Sequence, residues 1–288
     1  MKYTFVDRHS DRWKIGRMCN LLSLSRSGFY AWLRRAPGIR STSNRELVRR
    51  IREIYEEGKG EYGSPTICEV LRQKGYQVNH KRIARVMRVI GLRAKTVRRF
   101  KHTTVRCKDR DASPNLLNQD FHTDRPNRVW ISDITYIRTE EGWLYLTTVE
   151  DMCSRSMVGH AITDHLHATA IIDALRMALS RRIVLPGLIF HSDRGVQYTD
   201  HRVRGILRAN GIVQSMSSTG NCYDNAMAES FFATLKKGHL FRERFQTKEE
   251  ARRKLFEYLE VYYNRVRRHS ALGYKTPVAF EYELSTEA

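Results

Sequence analysis

The sequence predicts an α/β fold, in which a mixed five-stranded sheet flanked by helices follows all-α segments. Up to about residue 95, apolar residues recur at helical spacing. From about residue 128, three consecutive segments alternate with a period of two, which is typical of strands in an antiparallel meander. Beyond about residue 165, amphipathic helices alternate with short apolar runs. Two more strands are therefore expected to join the same sheet, with helices on its faces.

Charge divides the chain at the same point. Lys and Arg number 51 against 31 Asp and Glu, so the formal net charge is +20; residues 1–128 carry +18 of it and residues 129–288 carry +2. A field that is so strong and so segregated attracts polyanions. We therefore expect the N-terminal part to bind nucleic acid; a merely solvated basic surface is the alternative.

Several classes of protein are excluded by simple patterns. The chain has no run of about 18 apolar residues, so no membrane span is expected, and its start lacks the apolar stretch of a signal peptide. We therefore expect a cytoplasmic protein. The five cysteines are scattered without a CxxC pair, which favours reduced structural thiols over disulfides or a zinc site. They are Cys19, Cys68, Cys107, Cys153 and Cys222.

Residues 1–40 predict a first helix-turn-helix-like segment. Its two short helices cover about Lys14–Leu22 and Ser27–Arg35, with Ser25 or Ser27 available as an N-cap. A linker that contains Pro37 and Gly38 ends this segment.

Residues 44–95 predict a second helix-turn-helix-like domain, which would bind DNA. It opens with a helix over about Asn44–Glu57 and continues with two more, which Ser64 and Asn79 are placed to cap. The last helix is basic, and the second helix of such a pair is where a recognition helix lies. A plain helical hairpin with a solvated basic face is the alternative. The expected DNA contacts on this helix are Lys81, Arg82, Arg85 and Arg88.

A basic connector, residues 96–127, separates the helical part from the sheet. It is too weakly patterned to bury much surface, so we expect it to order on phosphate, with Arg98 and Arg99 as DNA contacts. Residues 128–245 should hold the sheet and its helices. Residues 246–288 should form a last helix, about Lys248–Asn264, and a tail.

Three acids stand out against apolar surroundings. Asp133 interrupts the strand VWISDITYIRT, where an ionised carboxylate is costly unless it is paired or binds a metal. Asp193 ends the strand LIFHSD, and chemistry in α/β sheets collects at the carboxyl ends of strands. After it, Gly195 lets backbone approach a ligand closely. Glu229, in NAMAESFFATLKK, has small or apolar helical neighbours and is expected to point inward beside the sheet.

Three carboxylates without His or Cys suit a hard cation such as Mg²⁺ or Mn²⁺. In a protein that attracts DNA, two such ions about 3.5–4 Å apart would activate an attacking oxygen and stabilise the leaving oxygen at phosphorus. We therefore expect Asp133, Asp193 and Glu229 to be catalytic residues and metal ligands. Three unrelated acids are the alternative. Asp151 and Asp224 compete for these roles, although Asp224 is better placed to cap a helix.

Lys236 lies seven residues beyond Glu229, which is two helical turns and therefore the same helix face. A cation there is expected to hold a DNA phosphate next to the metals. The alternative is an ordinary lysine near a helix C-terminus, where the helix dipole favours it.

Four motifs follow one another in the second half of the chain: DITYIRTEEGWLYLTTVEDMCSR, HSDRGVQYT, SMSSTGNCYDNAMAESFFATLKK and YNRVRRHSALGYKTP, with 35 residues between Asp193 and Glu229. Together they resemble the second-reading-frame product, OrfB, of bacterial insertion sequences of the insertion-sequence-three family. The segments MCNLLSLSRSGFYAWLRR and YGSPTICEVLRQKGY extend the resemblance over nearly the whole chain.

This resemblance implies a DNA transposase with a ribonuclease-H-like core similar to that of retroviral integrase. The triad maps to Asp133, Asp193 and Glu229, and the following basic residue maps to Lys236. The implied reaction is metal-dependent hydrolysis of one strand at the element's terminal inverted repeat. The freed 3′-hydroxyl then attacks another phosphodiester, typically joining one end to the other before integration into target DNA.

The resemblance also implies partners. Active enzymes of the family are usually fused to the product of the upstream reading frame, which carries a further helix-turn-helix and a leucine zipper, and synapsis of two ends suggests at least a dimer. The His/Cys spacing of the integrase zinc module does not occur, so zinc is not expected. Such a protein would be bacterial, cytoplasmic and associated with the nucleoid. An inactive DNA-binding regulator of transposition and a ribonuclease-H-type nuclease are the alternatives.

The C-terminal motif has two interpretations. It either locks the terminal helix against the core through hydrogen bonds, which we favour, or contacts DNA. His191, beside Asp193, is expected either to tune the site or to be a hydrogen-bonded packing residue. The motif residues are Tyr263, Asn264, Arg267, His269, Gly273, Thr276 and Pro277.

Overall fold

A computed structural model of the chain describes residues 2–34, 39–95, 112–118, 120, 123–218, 226–236 and 244–287. The chain forms two compact units, Met1–Arg52 and Glu53–Ala288. Most of the expected connector, residues 96–111 with Arg98 and Arg99, lies outside the described residues. Across the described ranges, no helix is both long and apolar enough to cross a membrane.

The first unit is helical. Its helices are α1 (Lys2–Arg8), α2 (Ile15–Leu21), α3 (Arg26–Arg34) and most of α4 (Ile39–Glu57). Helix α1 was not predicted, because it buries a single residue and so shows little periodicity. Helix α4 was predicted to begin at Asn44, but it begins at Ile39. The core of the unit is formed by Val6, Met18, Cys19 and Phe29.

N-caps of the N-terminal helices follow the sequence signals in two cases out of three. Ser25, one of two candidates, accepts the Gly28 N–H at 3.2 Å and so caps α3. Asn79 caps α6 (His80–Val89) by accepting the Arg82 N–H at 2.9 Å. The expected cap by Ser64 is wrong. Helix α5 (Ser64–Gln73) begins one residue earlier than predicted, so the N-cap position falls on Gly63. Glycine has no side chain that could accept a hydrogen bond from the first turn.

The second unit contains a mixed five-stranded sheet, as predicted. Its strands have the order β3-β2-β1-β4-β5. The first three are antiparallel neighbours, whereas β4 is parallel to β1 and β5 is parallel to β4. The strands are β1 (Val129–Thr139), β2 (Gly142–Asp151), β3 (Met157–Thr163), β4 (Ile189–Ser192) and β5 (Val213–Met216).

Helices cover both faces of the sheet. The remaining helices are α7 (Ala168–Arg181), α8 (His201–Ala209), α9 (Ala226–Leu235), α10 (Lys248–Phe256) and α11 (Pro277–Glu287). A π-helical segment, Glu257–Tyr263, continues α10, so the predicted last helix is present but changes its hydrogen-bond pattern half-way. The sequence interpretation did not foresee α11, whose Val278 and Tyr282 are exposed and give no amphipathic signal.

Two apolar clusters fix these helices on the sheet. On one face, Trp130 of β1 and Phe190 of β4 pack with α7 and α8. On the other, Ile137 of β1 packs with α9, α10 and the π-helical segment. Ile131 lies on this second face too, beside the first turn of α9. The predicted alternation of β1 is therefore confirmed, and Asp133 lies on the face that α9 covers.

Candidate active site

Asp133 lies in the middle of β1, opposite Thr148 of β2. The residue is half-buried, and its Oδ1 accepts a hydrogen bond of 2.7 Å from the N–H of Ile134. One backbone donor offsets only part of the cost of taking a carboxylate out of water. The position therefore favours either a proton or a cation on Asp133.

Asp193 immediately follows the last residue of β4. The parallel register pairs Ser132 with Ser192, so the two aspartates come next on adjacent strands and share one face of the sheet. The Gly195 N–H donates to Asp193 Oδ1 at 2.9 Å. A Cβ on Gly195 would lie 3.0 Å from that oxygen and 3.1 Å from Gln197 Oε1. Glycine at position 195 therefore leaves space for the carboxylate of Asp193.

Glu229 and Lys236 are carried by α9. This helix packs on the sheet through Phe231, Phe232 and Leu235. Glu229 lies in its first turn and Lys236 directly after its last residue; both are half-buried. Because the helix is fixed by its apolar side, the flank that bears the acid and the lysine is held beside β1.

The three acids and the lysine form one electrostatic cluster. Burial raises the pKa of Asp133 well above its usual range, and the negative charges of Asp193 and Glu229 raise it further. The Ile134 N–H and Lys236 act in the opposite direction. Burial lowers the pKa of Lys236, and the charge of Asp133 opposes that shift. The acids therefore repel one another, which a cation between them would relieve.

The donor set fits a hard divalent cation, because it offers carboxylate oxygens and no sulfur or imidazole. In the described part of the chain, however, no three His, Cys, Asp or Glu side chains converge closely enough to hold a metal ion as they stand. The carboxylates are thus electrostatic neighbours rather than a closed coordination shell.

The basic helix α6 presents its charges to solvent. Ile83 and Met87 are buried, whereas Lys81, Arg82, Arg85 and Arg88 are exposed. This exposed row of cations is compatible both with binding to a nucleic-acid phosphate backbone and with a solvated basic surface.

Curated relatives match over almost the whole chain. Transposase InsF for insertion sequence IS3A of Escherichia coli (strain K12) is 41% identical over 286 residues, which are 98% of each protein. The chain belongs to the transposase family of insertion sequence IS3. A further relative, the insertion element IS600 uncharacterized 31 kDa protein of Shigella sonnei, is 40% identical over 91% of the chain and 97% of the relative.

Three family descriptions match the transposase, and the first of them crosses the boundary between its two compact units. Residues 42–100 match an HTH-like domain, and residues 123–222 and 210–277 match two descriptions of an integrase core domain. The protein is therefore a DNA transposase with an α/β, ribonuclease-H-like catalytic core of the integrase type, which acts as a polynucleotidyl transferase. Such a core implies dependence on a divalent metal.

Solved structures with a similar fold include two viral integrase cores. The HTLV-2 integrase catalytic core domain in complex with magnesium has a TM-score of 0.41 and 17% identity, covering 56% of the transposase and 99% of that chain. The catalytic core domain of BIV integrase has a TM-score of 0.42 and 18% identity, covering 56% and 97%.

Of the competing acids, Asp151 has a structural role. Its Oδ2 accepts the Asn127 N–H at 2.6 Å, and its Oδ1 accepts the N–H and hydroxyl of Ser154 at 2.9 and 3.0 Å. It therefore organises the turn after β2. Asp224 lies outside the described residues. His191 is fully buried with Nδ1 2.9 Å from Ser215 Oγ, as the packing alternative predicts.

The C-terminal motif makes the contacts that the locking alternative predicts. Asn264 accepts the Met157 N–H at 2.8 Å and donates to the Met157 carbonyl at 3.0 Å, which ties the end of the π-helical segment to β3. The Tyr263 hydroxyl donates to Glu150 Oε1 at 3.2 Å. Thr276 Oγ1 accepts a hydrogen bond of 3.2 Å from the Ala279 N–H and so caps the N-terminus of α11.

Two neighbours of the acids escaped the sequence interpretation. Tyr198 is buried with its hydroxyl 2.9 Å from Ser132 Oγ, and burial together with Asp133 and Asp193 raises its pKa well above the usual range. Arg194 Nε donates to the Ser217 carbonyl at 2.7 Å and ties the loop after β4 to the end of β5. Both lie in the motif HSDRGVQYT, so the signal was present, but nothing in it separates packing from catalysis.

Proposed function

We propose that Asp133, Asp193 and Glu229 are the metal ligands and catalytic residues of this transposase. They would hold two divalent ions, Mg²⁺ or Mn²⁺, at which water hydrolyses one strand at the ends of the transposase's own element. The freed 3′-hydroxyl then attacks another phosphodiester, forms a new bond to phosphorus and displaces the 3′-oxygen of the attacked strand. The observation that carries the proposal is the parallel register of β1 and β4, which places Asp133 and Asp193 side by side on the face that α9, the helix of Glu229, covers. Burial and the two other acids together raise the pKa of Asp133. Clusters of this kind are typical of functional sites.

Divalent ions held by the three carboxylates would supply the positive charge that stabilises the attacking and leaving oxygens of an in-line displacement. Glu229, on the flank of α9 beside β1, would complete the set of ligands with the two aspartates. Lys236, held beside the acids, binds the phosphate that flanks the scissile bond.

DNA is held outside the acidic cluster. Lys81, Arg82, Arg85 and Arg88 of α6 contact the backbone or bases of the terminal inverted repeat, and Arg98 and Arg99 extend this contact. The enzyme works as a homo-oligomer that pairs two ends, together with the upstream reading-frame product of the same element, at the nucleoid in the bacterial cytoplasm. The transposase relatives and the clustered acids favour this enzyme over an inactive regulator.

The test is an end-cleavage and joining assay with the full chain, the upstream product and a duplex that carries the element's terminal repeat. With Mg²⁺, the wild type should nick one strand and join its 3′-end. Asp193→Asn should lower both rates by about 10³-fold or more while DNA binding survives, since loss of one member of a catalytic unit disables the unit.

Asp173→Asn is the matched control, because Asp173 is an exposed acid on α7, outside the cluster. Activity retained in Asp193→Asn would refute the triad assignment. Cutting of an RNA–DNA hybrid without any joining would instead favour a ribonuclease-H-type nuclease.

A further inference from the structure

A polar cavity lies on another flank of α9, next to the one that bears Glu229. It is partly enclosed and has a volume of about 260 Å³. Its walls come from the first turn of α5, the turn between β2 and β3, α9 and the C-terminal motif; among the lining residues are Thr66, Arg155, Ser230, Thr234, Arg267 and Arg268. Since one water occupies about 30 Å³ of liquid, the cavity has room for several waters or one tetrahedral oxyanion.

Arg155 is the unusual member of this lining. It has a φ of 59°, a left-handed conformation that costs a non-glycine residue free energy. Its guanidinium is half-buried and, among the described residues, makes neither a hydrogen bond nor an ion pair. Its charge acts on the carboxyl of Glu150, another lining residue, but its guanidinium N–H groups donate to no described protein atom and are available to a ligand in the cavity.

The polar atoms deeper in the cavity wall are also incompletely satisfied. Arg267 Nε is 3.4 Å from Glu61 Oε2, too poorly aligned for a hydrogen bond, and both Arg267 Nε and Glu61 Oε1 are buried without one. Neither atom has accessible surface, so a ligand in the cavity would meet Arg267 as a charge that its ion pair with Glu61 holds in the wall.

The charge balance of the lining is positive. Arg155, Arg267 and Arg268 face two carboxylates, Glu61 and Glu150. Burial raises the pKa of Glu150 to about 7, so this acid carries only part of its charge near neutral pH; burial also raises the pKa of Glu61.

The imidazole of His269 adds no charge to this balance, because burial and then the nearby charge of Arg267 lower its pKa to about 2. The first turn of α5, which has no side-chain cap, adds the positive end of its dipole through Thr66.

We propose that this cavity binds a phosphate-type oxyanion through Arg155, with Arg267, Ser230 and the first turn of α5 as supporting donors. The anion is either a backbone phosphate of the bound DNA or a free inorganic ion. Because Ser230 and Thr234 belong to α9, an occupied cavity braces the helix that carries Glu229.

Two measurements on the full chain test the proposal. The first is the melting temperature in inorganic phosphate against chloride at equal ionic strength. The second is the salt dependence of binding to the end duplex. Phosphate should raise the wild-type melting temperature by about 2 °C or more. Arg155→Gly should lose this shift without a lower melting temperature in chloride, since glycine adopts the left-handed conformation freely.

Arg155→Lys keeps the charge and should keep part of the phosphate shift, and Arg155→Gln replaces the glycine variant if that one fails to fold. Arg176→Gln, an exposed position on α7, should leave the shift unchanged. If DNA supplies the anion, the slope of log K against log salt should fall in magnitude by about 0.9 in Arg155→Gly.

A lost phosphate shift with an unchanged slope identifies the ligand as a free oxyanion and supports the site. No phosphate shift in the wild type together with an unchanged slope would overturn the proposal. A shift that Arg155→Gly and Arg155→Gln retain in full, again with an unchanged slope, would do so too, because the anion then binds elsewhere.

Discussion

The role of a residue in this transposase depends on its surroundings as well as on its type. Asp133 and Asp151 are both aspartates on neighbouring strands, yet two backbone N–H groups and a hydroxyl satisfy Asp151, whereas Asp133 has one backbone donor and two acidic neighbours. The two acids differ in their surroundings. Asp151 organises a turn with its hydrogen-bond donors, whereas the charge of Asp133 requires a cation nearby.

Gly195 offers a sharp test of how tightly Asp193 is held. Its φ of −62° suits alanine, so Gly195→Ala adds no backbone strain, but the new Cβ would lie 3.0 Å from Asp193 Oδ1. We expect the strand-cleavage rate to fall about tenfold or more, because small displacements of a catalytic group are costly. The melting temperature should change little.

The control for this substitution is Gly205→Ala in α8, where a Cβ meets nothing within 4 Å. It should leave the cleavage rate unchanged and stabilise the helix by about 1 kcal/mol. Equal cleavage rates for Gly195→Ala and the wild type would mean that the loop after β4 adapts, and that the acid is not fixed by its contact with this glycine.

At the scale of elements, close packing sets the distance between α7 and the sheet. Gly159 of β3 lies under α7, and a Cβ there would come within 2.1 Å of the Ala174 carbonyl oxygen. A side chain at this position would therefore collide with helix backbone, which cannot rotate away as a side chain can. The glycine lets α7 cover β2 and β3 at short range.

Gly159→Ala should accordingly destabilise the fold. Overpacking of this severity costs about 3 kcal/mol or more, which corresponds to a fall of roughly 6 °C or more in melting temperature. Thermal unfolding monitored by circular dichroism measures it, with Gly205→Ala again as the control. An unchanged melting temperature would show that α7 shifts outward at little cost.

For the molecule as a whole, local patterns predicted much of what the structure contains. The period of two in β1 and β2, the helical period of α7 and the position of Asp133, Asp193 and Glu229 all follow from spacing. Short-range signals fail where tertiary contacts decide. The π-helical segment replaces part of a predicted α-helix, and the pairing of Glu61 with Arg267 joins residues far apart in sequence.

Metal binding should couple the acidic cluster to the stability of the second unit. Mg²⁺ that binds the native state at 100 times its dissociation constant would stabilise it by about 2.7 kcal/mol, so the melting temperature should rise by several degrees. Because the pKa of Asp133 is raised in the metal-free fold, protons compete with the ion, and this rise should grow as pH increases.

Differential scanning fluorimetry against NaCl of equal ionic strength measures this rise, with EDTA as the reversal. Asp193→Asn should lose most of it, whereas Asp173→Asn should keep it. A shift of equal size in Asp193→Asn would assign the stabilising ion to another place on the protein.

The parallel pairing of β1 with β4 has a consequence for engineering. The two aspartates are brought together by the hydrogen bonds between β1 and β4. The chain that runs between Thr139 and Ile189 does not set their distance. The turn before β4, where Ile183 and Leu185 are exposed, is therefore a place to insert a peptide tag. Deleting one residue inside β4 would instead turn Asp193 to the opposite face and separate it from Asp133.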